Sequence, residues 1–70
     1  MDEWQAFHFS QANPAGDGQA DIPALLRRVA DTLAELGEVE VLDIVLRNEI
    51  RADGDWPSMT VYYARPDAAP

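Results

Sequence analysis

The sequence contains no cysteine and no lysine, and it has a single histidine. The absence of cysteine excludes disulfides, thiolate nucleophiles and zinc sites built on thiolates, and the absence of lysine excludes Schiff-base chemistry. One histidine is also a poor basis for a metal site. Because the two usual means of stabilising a very small domain are therefore missing, self-association is the means that remains.

Long apolar runs are absent as well. No stretch approaches the roughly 18 apolar residues of a membrane span, and the N-terminal residues lack the basic region of an export signal. Thirteen acidic and five basic residues give a formal charge of -8, which repels nucleic acid backbones and anionic lipid surfaces. We therefore predict a cytoplasmic protein that binds neither nucleic acid nor membranes. Every basic residue is arginine, which is typical of GC-rich bacterial genomes and predicts a bacterial source.

The chain is short enough for one domain only. Seventy residues would bury only about 60% of the unfolded surface on folding, so the core is marginal. The composition, 47% hydrophobic and 26% charged, is nevertheless that of a folded domain. We expect a single domain over residues 1–70.

Local patterns predict the order strand, helix, strand, strand. Phe7 and Phe9 alternate with His8 as in a strand, and Asp21 and Gly37 are suitable caps for the two ends of an amphipathic helix. A long Val, Leu and Ile segment and a second alternating segment follow, separated by a turn signal. The predicted elements are a strand over 4–10, a loop without large apolar residues over 11–20, a helix over 21–37, a strand over 39–51, a turn over 52–57, a strand over 58–65 and a frayed tail over 66–70.

This order predicts the α+β class, with one helix on one face of a three-stranded, mainly antiparallel sheet. A right-handed crossover makes the first two strands parallel, and the last strand then fits between them in the order 1-3-2. The even positions of the second strand form a row that we expect to face the helix: Leu42, Ile44, Leu46 and Ile50.

One helix can cover only one face of such a sheet. The other face would carry Val41, Val45 and Trp4, which together exceed the apolar patch that a monomer usually exposes. We therefore predict that these three residues form an interface. A homodimer is the favoured assembly because two-fold pairing is the commonest closed solution, and a different protein partner is the alternative.

The candidates for chemistry are few. His8 is a weak candidate for a general base, and the alternative is a partly buried imidazole that forms a structural hydrogen bond. The acidic turn with Asp53 and Asp55 lacks the spaced oxygen ligands of a calcium loop. The sequence therefore predicts no metal and no cofactor.

The aromatic residues suggest a second kind of site. Trp56, Tyr62 and Tyr63 could stack on a flat ligand, with His8 and Arg47 as polar contacts. This group is the candidate ligand-binding site.

The segment over 39–65 also resembles dodecins, which are flavin-storing assemblies of similarly short chains with the same order of elements. The resemblance rests on Val41-Leu42-Asp43-Ile44, on the Asp53-Gly54 turn and on Trp56 before the last strand. The turn comes later here, and Pro57 interrupts the following strand. The resemblance is one of layout, and it implies a flavin-like ligand near Trp56.

Three functions are consistent with the sequence. The first is a non-enzymatic module that binds itself or another protein. The second is an oligomer that binds a small aromatic ligand, and the third is a minimal enzyme with a cleft at a dimer interface, using His8. We favour the first.

Overall fold

The computed structural model describes residues 6–65. It contains one helix and a three-stranded antiparallel sheet in the order β1-β3-β2, so the predicted α+β fold and strand order are confirmed. The predicted interface residue Trp4 and the predicted tail over 66–70 lie outside the described residues. The elements are β1 (Ala6–Ala12), α1 (Ile22–Leu36), β2 (Glu40–Arg51) and β3 (Gly54–Ala64).

Both ends of α1 are stabilised as the sequence predicts. The Asp21 carboxylate accepts a hydrogen bond from the Ala24 amide at 3.1 Å, which satisfies one of the free amides of the first turn. Pro23 in that turn has no amide to satisfy. Gly37 ends the helix with a φ of 84°, a conformation that other residues rarely adopt, and its amide donates to the Ala34 carbonyl.

The core lies between α1 and the two strands β1 and β3. Leu25 is 0% exposed and packs with Val29 against the central strand, where Met59 and Val61 are buried. Phe9 and Leu33 are half-buried at the border of this cluster. The helix therefore covers β1 and β3, and its axis lies away from β2.

The segment between β1 and α1 is irregular, as predicted, but it also contributes buried groups, which the sequence analysis did not expect. Asn13 and Gln19 are both buried. The Asn13 amide group donates to the carbonyls of Gly18 and Asp21 at 3.1 and 2.8 Å, and its oxygen accepts from the Arg28 guanidinium at 3.1 Å. Hydrogen bonds rather than apolar side chains hold this segment on the domain.

The β2–β3 turn is shorter than predicted. It consists of two residues, Ala52 and Asp53, and β3 already begins at Gly54. Pro57 is compatible with this strand because β1 pairs with β3 only as far as Ser58. The missing Pro57 amide therefore leaves no hydrogen bond unmade in the sheet.

A β-bulge in β2 corrects the predicted faces of that strand. Val41 lies opposite Tyr63 and Asp43 opposite Tyr62, so Leu42 is an extra residue without a cross-strand partner. Val41 consequently lies on the helix side of the sheet and not on the opposite face with Val45. The strict odd and even alternation assumed from the sequence holds only after the bulge.

Candidate interaction surface

β2 is exposed along its whole length. All twelve of its residues are exposed, and Leu46 and Ile50 are large apolar side chains with 52% and 79% of their surface exposed. Ile44 and Val45 are exposed as well. Because β2 is at the edge of the sheet and α1 lies over β1 and β3, neither face of this strand is covered by another element of residues 6–65.

The dimensions of the chain agree with this exposure. The radius of gyration is 14.5 Å, whereas a compact domain of this length has about 11 Å. The accessible surface is 5201 Å², about 800 Å² more than the roughly 4,400 Å² expected for a globular monomer of this mass.

The outer edge of β2 presents backbone groups that β3 does not use. Arg51 and Gly54 close a two-residue hairpin and are therefore a hydrogen-bonded pair, so the odd-numbered residues after the bulge bond to β3. The Ile44 amide confirms this alternation, since it donates to the Asp43 carboxylate at 2.9 Å. The amides and carbonyls of Ile44, Leu46 and Asn48 thus point away from the sheet, as they do in strands that accept a further strand.

The charged side chains of β2 differ in whether they have a partner. Arg51 forms an ion pair with Glu49 at 3.4 Å. Asp43 and Arg47 have no oppositely charged partner within 4 Å among residues 6–65. Both lie on the face opposite the helix, next to Val45.

One side of α1 adds to the exposed surface near β2. Thr32 and Arg28 form hydrogen bonds with Gln11 and Asn13, so this side of the helix faces β1. Leu26 lies on the other side of the apolar stripe by helical periodicity and is 49% exposed. The helix-facing side of β2 is therefore bordered by a further apolar side chain.

The face opposite the helix carries His8. Its ring lies next to that of Tyr62, with 5.7 Å between centroids, and both residues are exposed. The Ser10 and Thr60 hydroxyls form a 2.6 Å hydrogen bond in the next row. The expectation of a partly buried imidazole is therefore wrong, because His8 is exposed on the edge strand β1.

The other predicted ligand-binding residues lie in different places. Trp56 is half-buried, its indole N–H donates to the Asn13 carbonyl at 2.9 Å, and the Arg51 guanidinium lies 5.1 Å from its ring. Tyr63 is 8% exposed and packs beside Phe7 on the helix side. Trp56, Tyr62 and Tyr63 therefore do not form one stacking platform within a single chain.

Arg47, the remaining predicted contact, lines a shallow open depression of about 380 Å³. Its neighbours there are Asn48, Glu49 and Ser58, all polar. Among residues 6–65, no three His, Asp or Glu side chains are grouped closely enough to hold a metal ion. In the same part of the chain, none of the helical segments has the length and apolar character needed to cross a bilayer.

Comparisons of the chain with family models, with curated proteins and with solved structures find no match. The function is therefore argued from the geometry of the chain itself. Three features of that geometry were not located from the sequence: the position of the bulge at Leu42, the buried Asn13 and the exposed Leu26. The Asn13-Pro14 pair signalled a turn but not burial, and nothing in the local pattern marked the other two.

Proposed function

We propose that this chain is a non-enzymatic interaction module that assembles with itself through the exposed edge of β2. The observation that carries the proposal is that a twelve-residue strand with six exposed Val, Leu and Ile side chains has a free outer edge. The charged side chains of β2 lie on the face opposite the helix, so the uncharged helix-side row with Ile44, Leu46 and Ile50 leaves the edge open to a further strand. The proposal includes a cytoplasmic location and a bacterial source, as the sequence predicts.

Self-association is expected to add to the small stability of the single folded chain. The helix and two strands bury a small core around Leu25 and Val61, and no disulfide supplements it. Apolar surface removed from water contributes about 25 cal/mol per Å². Covering β2 therefore supplies stabilisation that a monomer of this size lacks.

Sedimentation equilibrium at micromolar concentration tests the proposal. The wild-type chain is expected at about twice its mass of 7.8 kDa or at a higher multiple. Leu46→Lys places a charge on the exposed strand without disturbing the core and is expected to shift the protein to the monomer. Ala34→Lys adds the same charge to the exposed side of α1 and is expected to leave the mass unchanged.

A wild-type protein that stays monomeric at 100 micromolar would overturn the proposal. So would a Leu46→Lys variant that is folded by circular dichroism and still has the wild-type mass. An equal loss of mass in Ala34→Lys would show that added charge, rather than the β2 edge, controls association.

The second candidate function, binding of a small aromatic ligand, is supported by the exposed ring of Tyr62 beside His8. A flat ligand could stack on this pair without any change in the sheet. If this function is correct, adding the protein to flavin mononucleotide is expected to quench the flavin fluorescence. The Tyr62→Ala variant is expected not to quench it. No change in flavin fluorescence at millimolar protein would reject this candidate.

A further inference from the structure

The unpaired charges on β2 fit a second copy of the same strand. Building on the proposed function, we propose that β2 pairs antiparallel with β2 of a second copy around a two-fold axis at Val45. Asp43 of each chain then lies opposite the partner's Arg47. The two sheets join into one sheet of six strands, with both helices on the same side.

The backbone geometry allows this pairing. The outward amides and carbonyls of Ile44 and Leu46 match those of the partner's Leu46 and Ile44, so each such pair exchanges two hydrogen bonds. The Asp43 carboxylate, which accepts from the Ile44 amide in the single chain, is released when a partner carbonyl takes its place.

The side chains then meet in matching pairs. Ile44 and the partner's Leu46 are neighbours on the helix side, and the two Val45 side chains meet on the opposite face. Val45 and Asp43 are at positions that do not exchange backbone hydrogen bonds across the new junction, where side chains approach most closely. Two Asp43–Arg47 ion pairs therefore flank the apolar centre.

Other registers of the same strand are less favourable. An axis at Leu46 places Asp43 opposite the partner's Glu49, and an axis at Arg47 places two guanidinium groups opposite each other. Like charges in these positions destabilise a strand pair. An axis at Asn48 pairs Arg47 with the partner's Glu49 but leaves Ile44 opposite the hairpin turn. The register at Val45 alone matches both the charges and the apolar side chains.

Disulfide trapping tests the register directly, because the chain has no native cysteine. Val45→Cys is expected to form a disulfide-linked dimer in a glutathione redox buffer, since the two side chains face each other at the axis. Asn48→Cys is the matched control and is expected to remain unlinked. Linking of Asn48→Cys but not of Val45→Cys would overturn the Val45 register in favour of the Asn48 register.

Charge reversal provides the second test. Asp43→Arg and Arg47→Asp each place like charges opposite each other, and each is expected to weaken homodimerisation about tenfold. An equimolar mixture of the two variants restores both opposite-charge pairs, so a mixed dimer of near wild-type affinity is expected. Arg51→Asp, which changes the charge outside the central pairs, is expected to dimerise normally.

The outcomes separate this inference from the proposed function. A wild-type protein that associates, without Val45→Cys linking and without recovery in the mixture, would overturn the β2 register but leave self-association intact. A wild-type protein that is monomeric by sedimentation would overturn both. Circular dichroism of each variant shows whether a loss of mass reflects unfolding. If a charge variant is unfolded, the linking of Val45→Cys tests the register in its place.

Discussion

Asn13 shows how much one polar residue contributes to this small domain. Its side chain bonds the irregular segment to itself and to α1, and its carbonyl accepts the indole N–H of Trp56 from β3. It is 4% exposed, and these bonds are partly shielded from water. The residue thus connects the irregular segment, α1 and β3 by hydrogen bonds.

Asn13→Ala is expected to lower the free energy of unfolding by about 2 to 3 kcal/mol, because it removes the side-chain hydrogen bonds to the Gly18 and Asp21 carbonyls and to the Arg28 guanidinium, each of which contributes about 1 kcal/mol. Urea denaturation at a fixed protein concentration measures the change. Asp17→Asn, in the same segment but exposed, is expected to change the free energy by less than about 0.5 kcal/mol. Equal effects of the two substitutions would show that the Asn13 bonds do not stabilise the fold.

At the scale of the element, β2 is the strand whose geometry the sequence describes least well. Its Val, Leu and Ile content correctly predicts a strand, but its faces depend on the bulge at Leu42. Before the bulge Val41 lies on the helix side, and after it Val45 lies on the opposite side. Removing the extra residue of such a bulge leaves every other cross-strand pair unchanged.

This property leads to a prediction about deletions within β2. Deleting Leu42 retains all the pairs with β3 and is expected to cost about 1 kcal/mol or less, since the side chain is only half-covered. Deleting Val45 moves Asp43 opposite Val61, which is 0% exposed, and is expected to cost more than about 2 kcal/mol. Urea denaturation of the two deletion variants compares these costs, and equal values would contradict the assigned bulge.

At the scale of the whole molecule, stability and assembly are expected to be coupled. A folded dimer that unfolds to two free chains gains about 1.4 kcal/mol of stability for each tenfold rise in protein concentration. The midpoint of urea unfolding should therefore rise between protein concentrations of about 2 and about 200 micromolar. Leu46→Lys, the monomeric variant, should have the same midpoint throughout. A wild-type midpoint independent of concentration would show that the fold is stable without a partner.

Local patterns in the sequence were sufficient for the order of elements and for their approximate ends. The Asp21 cap and Gly37 define α1, and the alternation of Phe7, His8 and Phe9 assigns the two faces of β1 correctly. The candidate ligand site could not be judged in the same way. Tyr62 and Tyr63 are neighbours in the chain but lie on opposite faces of β3, and Trp56 lies six residues before Tyr62, about 20 Å away along the same strand.

The sequence by itself determined the elements, because caps, turns and side-chain periodicity act over a few neighbouring residues. It also indicated that one helix cannot cover this much apolar strand. Only the tertiary structure decided which strand is left uncovered, since that depends on the helix lying over β1 and β3 rather than β2. The face that each β2 side chain occupies was likewise decided by one extra residue in the pairing with β3, a non-local contact that no local pattern contains.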